Sequence, residues 1–536
     1  MAQRTSLGAV SVLATGGLLL SGCAVVDNLE RFQDDNQNKE QEEEQQQEAP
    51  EPEFPYVKQG RIFLDTGDDV EMEYGIVGLE STDEYMVLDS YENVLEPLEG
   101  EVTDLTSPPR MVDSESGLVY EQLVDEENER AYGTYFEEDS PWMPIHEGAP
   151  QMVRRYFPPV PEDVETLTFT GSGMGAMTGI PVEHVDEISE QPEPNADEYI
   201  DPDTWDSDIP EGTEVYYPYD EPPADIEARP LNLEQFVHSD VASTTRSGDE
   251  ETIALNADVM FEFDEAELTD EAEDVVQQAA ESMRTNLGSD VEEITIVGHS
   301  DGKGSDDYNQ TLSEERAETV QELLADDLGS DYSLTTEGRG SEEPIAEEGG
   351  SDDEEARAQN RRVEFTYKVN TGGGSEESEG GLDAAERHVS APAAYNEDDG
   401  EIHESVTKDD VQLDVYPLTR DGAYLIGTVA FNNTTDEPVE PEIGGADAEI
   451  PGGPSQYNEG TLGGFVLSES DSDVVRYVSQ LKLGEDEYEG FAEEVHELQP
   501  GEDYRTIAIF PAPSQDVEKM TLHAGEFGEI AGVPIR

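Results

Sequence analysis

The stretch VGHSDGKGSDDYNQTLSEERA, residues Val297–Ala317, decides the fold of the middle of this 536-residue chain. The residues Ile294–Val297 are mostly β-branched and predict a strand. Glycines then interrupt the strand and predict a tight loop. Ser313 followed by two glutamates predicts a helix start, because serine caps helix N-termini and acidic residues suit them. We therefore expect Asp301 just past a strand end and Arg316 in the first turn of the next helix, with a loop long enough to bring them together.

Further motifs accompany this stretch on both sides. In chain order the motifs are Phe261-Glu262-Phe263-Asp264, Leu268, Gly298-His299-Ser300-Asp301, Gly304, Tyr308-Asn309, Leu312-Ser313, Arg316-Ala317, Glu337-Gly338-Arg339-Gly340, Pro344 and Asn360-Arg361-Arg362-Val363-Glu364. In this order and spacing the sequence resembles the OmpA-like peptidoglycan-binding domain, which also occurs in peptidoglycan-associated lipoproteins and in flagellar stator proteins of the MotB type. The resemblance covers roughly residues 253–369, and Ser300 replaces the usual Thr or Ala.

The resemblance implies a peptidoglycan-binding site. In the family, the residues at the positions of Asp301 and Arg316 grip the side-chain end of diaminopimelate in the stem peptide. That end is a zwitterion, so a carboxylate can bind its ammonium and a planar guanidinium can bind its carboxylate through paired hydrogen bonds. Asn309 and Arg361 match further family positions near the ligand. The structural alternatives are an Asp301–Arg316 salt bridge that only braces the loop, an Asn309 that caps the loop, and an Arg361 that pairs with nearby acids.

Catalytic, metal and cofactor sites find little support in the sequence. His299, Ser300 and Asp301 are the residue types of a hydrolase triad, but successive strand residues point to opposite faces and cannot line up. The paired histidines expected of a metal site are absent from the sequence. The glycine-rich run Gly171–Gly179 lacks the lysine and helix of a phosphate loop and predicts a turn between two strands. We therefore expect no enzyme activity, no cofactor and no metal.

Apolar periodicity predicts the elements of the central domain, residues 230–370 with a lead-in. The predicted order is strand 253–264, helix 269–286, strand 292–298, helix 313–326, strand 333–338, helix 352–359 and strand 361–369. In the last strand Val363, Phe365 and Tyr367 alternate with polar residues, which indicates one buried and one solvated face. We expect a two-layer α+β sandwich with a mixed sheet and helices on one face.

Two regions with short predicted strands flank the central domain and contain copies of one segment. Residues 157–182, FPPVPEDVETLTFTGSGMGAMTGIPV, align without a gap with residues 510–535, FPAPSQDVEKMTLHAGEFGEIAGVPI. The copies share Phe-Pro, Asp-Val-Glu, a threonine, two glycines and a proline. We expect two repeated all-β sandwiches, immunoglobulin-like in the loose sense, at residues 55–183 and 406–536.

Low apolar content predicts three connecting segments. Residues 23–54 are rich in Gln and Glu and predict a disordered, extended tether. Residues 184–229 are rich in Pro, Asp and Glu, and residues 371–405 are rich in Gly, Ser and Glu. We expect both of these to be largely unstructured linkers.

The charge of the chain restricts its partners. The formal net charge is −104, from 131 Asp and Glu against 27 Lys and Arg. This argues against nucleic acid and anionic membrane surfaces as partners, because both require basic patches. We interpret the acidity as a solvated surface suited to high salt, where screening removes self-repulsion, in preference to specific cation binding. The Asp-rich pieces near residues 201–208 lack the spacing of a calcium loop.

The only cysteine, Cys23, indicates a lipoprotein signal at residues 1–22. A basic residue, Arg4, precedes an apolar run that is too short and too glycine-rich to span a bilayer comfortably. Leu20-Ser21-Gly22 directly before the cysteine looks like a bacterial lipobox, whose cysteine carries a lipid such as palmitate. The alternative is an ordinary secretory signal with a chance cysteine. We expect a protein of the cell envelope that is lipid-anchored to the membrane and faces the cell wall.

Together these features predict a non-enzymatic lipoprotein that binds peptidoglycan and couples the membrane to the cell wall. The alternative from another class is an adhesin or scaffold whose β-sandwiches bind a protein partner, with wall binding as mere anchorage. A wall-remodelling enzyme is a third option, and neither a nucleophile–base pair nor a metal cluster in the sequence supports it.

The lipid anchor can be tested at Cys23. We expect Cys23→Ser to release the protein from membranes, because the substitution removes the acyl chains that hold it there. Fractionation of lysed cells, with the unaltered chain as control, measures this. A mutant that stays fully membrane-bound contradicts the lipoprotein prediction.

Overall fold

Short strands dominate the residues that the computed structural model describes, which are 54–63, 69–95, 109–125, 130–135, 148–171, 173–200, 208–224, 226, 228–262, 265–269, 272–287, 293–329, 332–349, 353–369, 381–385, 388–443, 450, 461–469, 472–484, 487–491 and 495–536. The N-terminal strands are β1 (Tyr56–Phe63), β2 (Asp69–Ser81), β3 (Met86–Val94), β4 (Arg110–Asp113), β5 (Leu118–Tyr120), β6 (Val124–Asp125), β7 (Arg130–Ala131), β8 (Gly133–Thr134), β9 (Gln151–Phe157), β10 (Thr166–Gly171), β11 (Gly175–Pro181), β12 (Glu183–His184), β13 (Val215–Tyr216) and β14 (Tyr219–Asp220). The central elements are β15 (Leu231–His238), β16 (Ala242–Ser247), β17 (Glu250–Asn256), α1 (Ala257–Met260), α2 (Ala272–Asn286), β18 (Glu293–His299), α3 (Asp306–Leu328), β19 (Ser333–Gly340), α4 (Asp353–Asn360) and β20 (Arg362–Lys368). The C-terminal strands are β21 (Glu404–Lys408), β22 (Val411–Val415), β23 (Thr419–Asp421), β24 (Tyr424–Asn433), β25 (Val466–Ser468), β26 (Val475–Tyr477), β27 (Gln480–Lys482), β28 (Tyr488–Gly490), β29 (Asp503–Pro511), β30 (Lys519–His523) and β31 (Glu529–Pro534).

Some expectations fall outside the described residues. These are the signal segment with Cys23, the tether up to residue 53, and the motif residues Phe263 and Asp264.

The centre of the chain is a mixed sheet in the order β15-β16-β17-β20-β18-β19. Strands β18 and β19 run parallel, and the other neighbours are antiparallel. The predicted alternation holds in β20, where Val363, Phe365 and Tyr367 are buried. They share an apolar core with Val276 of α2 and Val320 of α3. A mixed sheet with a few helices is the predicted class for this part of the chain.

The strand predicted at residues 253–264 ends earlier than predicted. Strand β17 ends at Asn256, and the chain then enters the short helix α1. The side chain of Asn256 accepts a hydrogen bond from the backbone N–H of Asp258 at 2.9 Å, which caps this helix. A β-rich sequence therefore turns early because an N-cap residue stands at the strand end.

The helix that carries Arg316 begins earlier than predicted. Ser305 caps α3 through its Oγ, so the helix starts at Asp306, and two aspartates fill a first turn that favours acidic residues. The predicted cap, Ser313, is fully buried within the helix and accepts a hydrogen bond at 2.9 Å from a backbone N–H of β19. Arg316 therefore lies about three turns into the helix and not in its first turn.

The two copies of the repeated segment form hairpins with the same register. Thr166 pairs with Pro181 in β10–β11, and Lys519 pairs with Pro534 in β30–β31, and each hairpin has an irregularity after its second pair. The shared glycines, Gly175 and Gly179 in the first copy and their counterparts 528 and 532 in the second, all have φ between 64° and 86°. Only glycine adopts this left-handed backbone readily, which explains why both copies keep it. The predicted turn within Gly171–Gly179 is the turn of the first hairpin.

Strand β15 joins strands from all three predicted domains. It pairs with β16 of the centre, with β5 of the N-terminal region, and with β26 and β27 of the C-terminal region. A second sheet, β1-β2-β3-β9-β8-β14, and a third, β21-β22-β24-β23 with β29 on β24, complete the two flanking regions. Backbone hydrogen bonds therefore cross the predicted domain boundaries.

The described residues of both predicted linkers are ordered, so this expectation is wrong for them. In residues 184–229, β13 and β14 pair with β9 and β8, and Ile200, Val215 and Tyr217 lie in a buried apolar cluster. In residues 371–405, the hydroxyl of Tyr395 accepts a hydrogen bond at 3.1 Å from the N–H of Val57 in β1. The prediction failed because average composition hides a few apolar residues that can dock onto existing sheets.

Residues 381–385, from the second predicted linker, fill part of the central core. Leu382 and Ala385 are buried among the core residues of the mixed sheet and α2. The Leu382 N–H donates to Ser282 Oγ at 2.9 Å, and the Ala385 carbonyl accepts from Arg246 Nη2 at 2.9 Å. This segment therefore belongs to the fold of the centre.

We expect Leu382→Ala to lower the free energy of unfolding by about 2–4 kcal/mol, because it leaves a cavity in a packed core. Urea denaturation followed by circular dichroism measures the loss. Leu483→Ala is the matched control, since Leu483 is 42% exposed and its truncation opens no cavity. Equal small effects of both substitutions would show that residues 381–385 lie only loosely on the core.

Candidate functional site

Asp301 lies just past the carboxyl end of β18, as predicted, and forms an ion pair with Arg361. Asp301 Oδ2 is 2.6 Å from Arg361 Nη1, and Oδ1 accepts a hydrogen bond from the Lys303 N–H at 2.9 Å. The Asp301 side chain keeps 13% of its surface exposed. Asp301 therefore forms its ion pair with Arg361, and not the loop-bracing salt bridge with Arg316 that was the structural alternative.

Arg316 is buried on the inner face of α3. Its guanidinium lies 4.9 Å from the ring centroid of Phe261, and its Nε donates to the carbonyl of Glu265 at 3.2 Å. Both contacts come from the segment between α1 and α2. The aromatic face and the carbonyl hold the positive charge in one orientation. Phe261 belongs to a sequence motif, but its stacking on Arg316 could not be read from spacing.

Asn309 connects the Asp301 loop to the helix. Its Nδ2 donates to the carbonyl of Asp301 at 3.0 Å and lies 3.5 Å from Ser341 Oγ. Asn309 and Arg316 are seven residues apart on α3, so they lie on the same face of the helix, about 10 Å apart along its axis. Asn309 thus braces the loop, which is the structural alternative that the sequence left open for it. It does so from the helix face that also carries Arg316.

Arg361 is surrounded by carboxylates. Its Nε and Nη2 bind the two carboxylate oxygens of Asp258 at 2.8 and 2.6 Å, its Nη1 binds Asp301, and its Nη2 lies 3.4 Å from Glu354. The hydrogen bonds to Asp258 outweigh burial and, with those to Asp301, raise the pKa of the guanidinium. Arg361 therefore pairs with nearby acids, which was the structural alternative for it, and one of these acids is Asp301.

Glycines and an acidic residue shape the loop after β18. A side chain at Gly298 would lie 2.0 Å from the carbonyl of Ser313, so this glycine lets α3 pack directly on the strand. Glu348 Oε1 accepts hydrogen bonds from the Gly302 N–H at 2.8 Å and from Asn360 Nδ2 at 2.9 Å. This carboxylate therefore fixes the loop to the end of α4.

His299, two residues before Asp301, has a different charge partner. It is buried, and its Nε2 lies 3.5 Å from Glu364 Oε2, while Arg362 Nε lies 2.6 Å from Glu364 Oε1. Burial alone would raise the pKa of Glu364, but the neighbouring His299 and Arg362 lower it to about 2. His299 is the last residue of β18 and Asp301 lies in the loop beyond it, and the two side chains serve different charge partners.

Sequence reasoning missed the acids around Arg361 and the loop. Asp258 and Glu348 belong to none of the sequence motifs described above, and the sequence predicts one continuous strand that includes Asp258. The only available signal was Asn256, an N-cap residue type two positions before Asp258.

Within the described ranges, no group of three or more His, Cys, Asp and Glu could hold a metal ion. In the same part of the chain, none of the helices is long and apolar enough to cross a membrane.

Part of the chain is similar to known proteins. Residues 260–361 match the OmpA family. Outer membrane protein A of Bordetella avium is 38% identical over 113 residues, 21% of this chain and 55% of that protein. The peptidoglycan-associated lipoprotein of Legionella pneumophila is 38% identical over 110 residues, 20% of this chain and 59% of that protein. The chain thus spans a little over half the length of these two relatives.

A solved structure is also similar to part of this chain. The crystal structure of the peptidoglycan-associated lipoprotein from Burkholderia pseudomallei is 29% identical, with a TM-score of 0.17, and the match covers 20% of this chain and 87% of that one.

We expect Glu364→Gln to lower stability at pH 7, because it removes a carboxylate held by His299 and Arg362. The pKa of Glu364 is depressed from 4.5 to about 2 in the folded protein, so its stabilisation is present above pH 4.5 and is lost as the pH falls towards 2. The difference in melting temperature between mutant and unaltered protein should therefore shrink from pH 7 to pH 3. Glu318→Gln, on the exposed face of α3, is the control. A difference that is constant with pH would contradict the assignment.

Proposed function

We propose that this chain, whose residues 260–361 form an OmpA-family domain, is a non-enzymatic protein of the cell envelope. It binds peptidoglycan non-covalently through the diaminopimelate of the stem peptide. Relatives of this domain are named as outer membrane protein A and as peptidoglycan-associated lipoproteins. The observation that carries the proposal is a partly exposed carboxylate, Asp301, whose loop is bound by Asn309 on the helix face that also bears Arg316. Both charge types that a zwitterion requires thus come from one loop and one helix.

The chemistry follows from the two charges. The ligand ammonium binds Asp301, whose carboxylate retains unused lone pairs beside its contacts with Arg361 and Lys303. The ligand carboxylate binds Arg316, because a planar guanidinium can donate two parallel hydrogen bonds. Phe261 and the Glu265 carbonyl hold Arg316 in place before the ligand arrives, which reduces the entropy lost on binding.

The proposal includes the membrane side of the protein. A lipid on Cys23 anchors the chain, and residues 23–54 reach at most roughly 110 Å when fully extended. The flanking regions act as spacers between anchor and wall, and we describe them as immunoglobulin-like sandwiches. The matching registers of the β10–β11 and β30–β31 hairpins support the repeat on which this description rests.

Wall binding is tested by sedimentation of the purified chain with intact peptidoglycan sacculi. We expect Asp301→Ala and Arg316→Ala each to abolish cosedimentation, because removing one partner leaves a charge unmatched at a cost on the order of 2–5 kcal/mol. Arg316→Lys should also bind poorly, since an ammonium cannot reproduce the guanidinium fork.

Matched controls separate binding from folding. Asp249→Ala and Arg284→Ala remove the same charges at exposed positions of the same domain and should leave sedimentation unchanged. Circular dichroism should show the same fold in all variants. Walls whose stem peptides carry lysine in place of diaminopimelate lack the carboxylate that binds Arg316, so binding should fall sharply. Equal binding to both wall types would overturn the assignment of Arg316.

A further inference from the structure

Asp258 lies just outside the residues that match the OmpA family, yet it contacts the candidate site through Arg361. It takes the Nε and Nη2 edge of the Arg361 guanidinium in a two-bond pair at 2.8 and 2.6 Å. Only Nη1 is directed at Asp301, at 2.6 Å. Besides a longer contact with Glu354 at 3.4 Å, Arg361 is thus shared between Asp258 and Asp301, and Asp258 holds the larger share.

The backbone fixes both members of this pair. The N–H of Asp258 donates to the Asn256 side chain at 2.9 Å, within the cap of α1. The carbonyl of Arg361 accepts from the Ala257 N–H at 2.9 Å, and the N–H of Arg361 donates to the Arg357 carbonyl at 3.0 Å. The two side chains therefore start from adjacent, hydrogen-bonded positions, and the pair costs little entropy to form.

The sharing decides how much negative charge Asp301 presents. A carboxylate offers about four lone-pair positions, and Asp301 uses one for Arg361 and one for the Lys303 N–H. If Asp258 released Arg361, the guanidinium could turn its two-donor edge to Asp301 and form the bidentate pair that arginine and carboxylate favour. Asp301 would then be neutralised by the protein itself.

We propose that Asp258 is a positioning residue that keeps Arg361 from neutralising Asp301 and thereby makes the site selective for a ligand with a free amine. The inference rests on the proposed function and deepens it, because it assigns the amine selectivity to a residue that does not touch the ligand. Asp258 acts through Arg361, and Asp301 makes the contact.

The test uses the full chain and two synthetic stem peptides. Both end in diaminopimelate, and in one of them the side-chain amine is acetylated. We expect the unaltered chain to prefer the free amine, and Asp258→Asn to reduce this preference about tenfold, equivalent to about 1.4 kcal/mol. Affinity for the acetylated peptide should not change. Isothermal titration calorimetry measures both affinities.

Three further variants identify the route of the effect. Asp258→Glu keeps a carboxylate and should restore most of the preference. Asp249→Asn removes the same charge from an exposed ion pair at the other end of β17. This strand has seven residues, so Asp249 lies roughly 23 Å from Asp258, and the substitution should leave the preference for the free amine unchanged. In an Arg361→Gln background, Asp258→Asn should have no further effect on the preference, because Asp258 acts only through Arg361.

The possible outcomes separate this inference from the proposed function. An unchanged preference in Asp258→Asn, or an equal loss of affinity for both peptides, overturns the inference while leaving the proposed function standing. An additive effect in the Arg361→Gln background also overturns it. An unaltered chain that binds neither the peptides nor sacculi overturns the proposed function, and the inference falls with it.

Discussion

The pairing of strand β15 on both of its edges is the constraint on which the rest of the structure depends. At Asn232 it pairs with β5 on one edge and β27 on the other, and at Val237 it pairs with β16 on one edge and β26 on the other. Because buried backbone groups must find hydrogen-bond partners, these ladders tie the site-bearing centre to both flanking regions. The candidate site lies on the far side of the mixed sheet from β15, just past the end of β18. The neighbours of β18 in the sheet are β20 and β19, which both belong to the centre of the chain.

A second constraint is the scarcity of positive charge. Only 27 Lys and Arg residues face 131 acidic ones, yet several of these cations are buried in ion pairs. Lys58, 1% exposed, binds Asp399, which also binds Arg505, and this joins β1 to β29. Burial lowers the pKa of Lys58 despite the attraction of Asp399. Burying a charge is costly unless the charge is paired. The main effect of these contacts is therefore to determine which segments pack together, and their net contribution to stability is small.

The candidate site follows the same rule. Asp301 lies beside a guanidinium that two other carboxylates also contact, so the charge that it offers depends on its neighbours. Arg316 instead sits against an aromatic ring and a carbonyl. A zwitterionic ligand would meet one carboxylate partly neutralised by Arg361 and one guanidinium held by Phe261. Because of this asymmetry, residues outside the motifs, such as Asp258 and Glu348, also shape the site.

The sequence by itself determined the mixed sheet, the family of the centre, the position of Asp301 at a strand end and the turn of the first repeated hairpin. These depend on local signals: β-branched runs, glycines that alone adopt positive φ, and motifs at fixed spacing. Only the tertiary structure decided that Arg361 pairs with Asp301, that Asp258 competes for it, that residues 381–385 complete the core, and that β15 joins the three regions. Each of these contacts links residues far apart in the chain, or depends on a cap such as Ser305 in place of Ser313. Local propensity cannot choose between such partners, because the choice is made by which side chains the folded sheets bring within hydrogen-bonding distance.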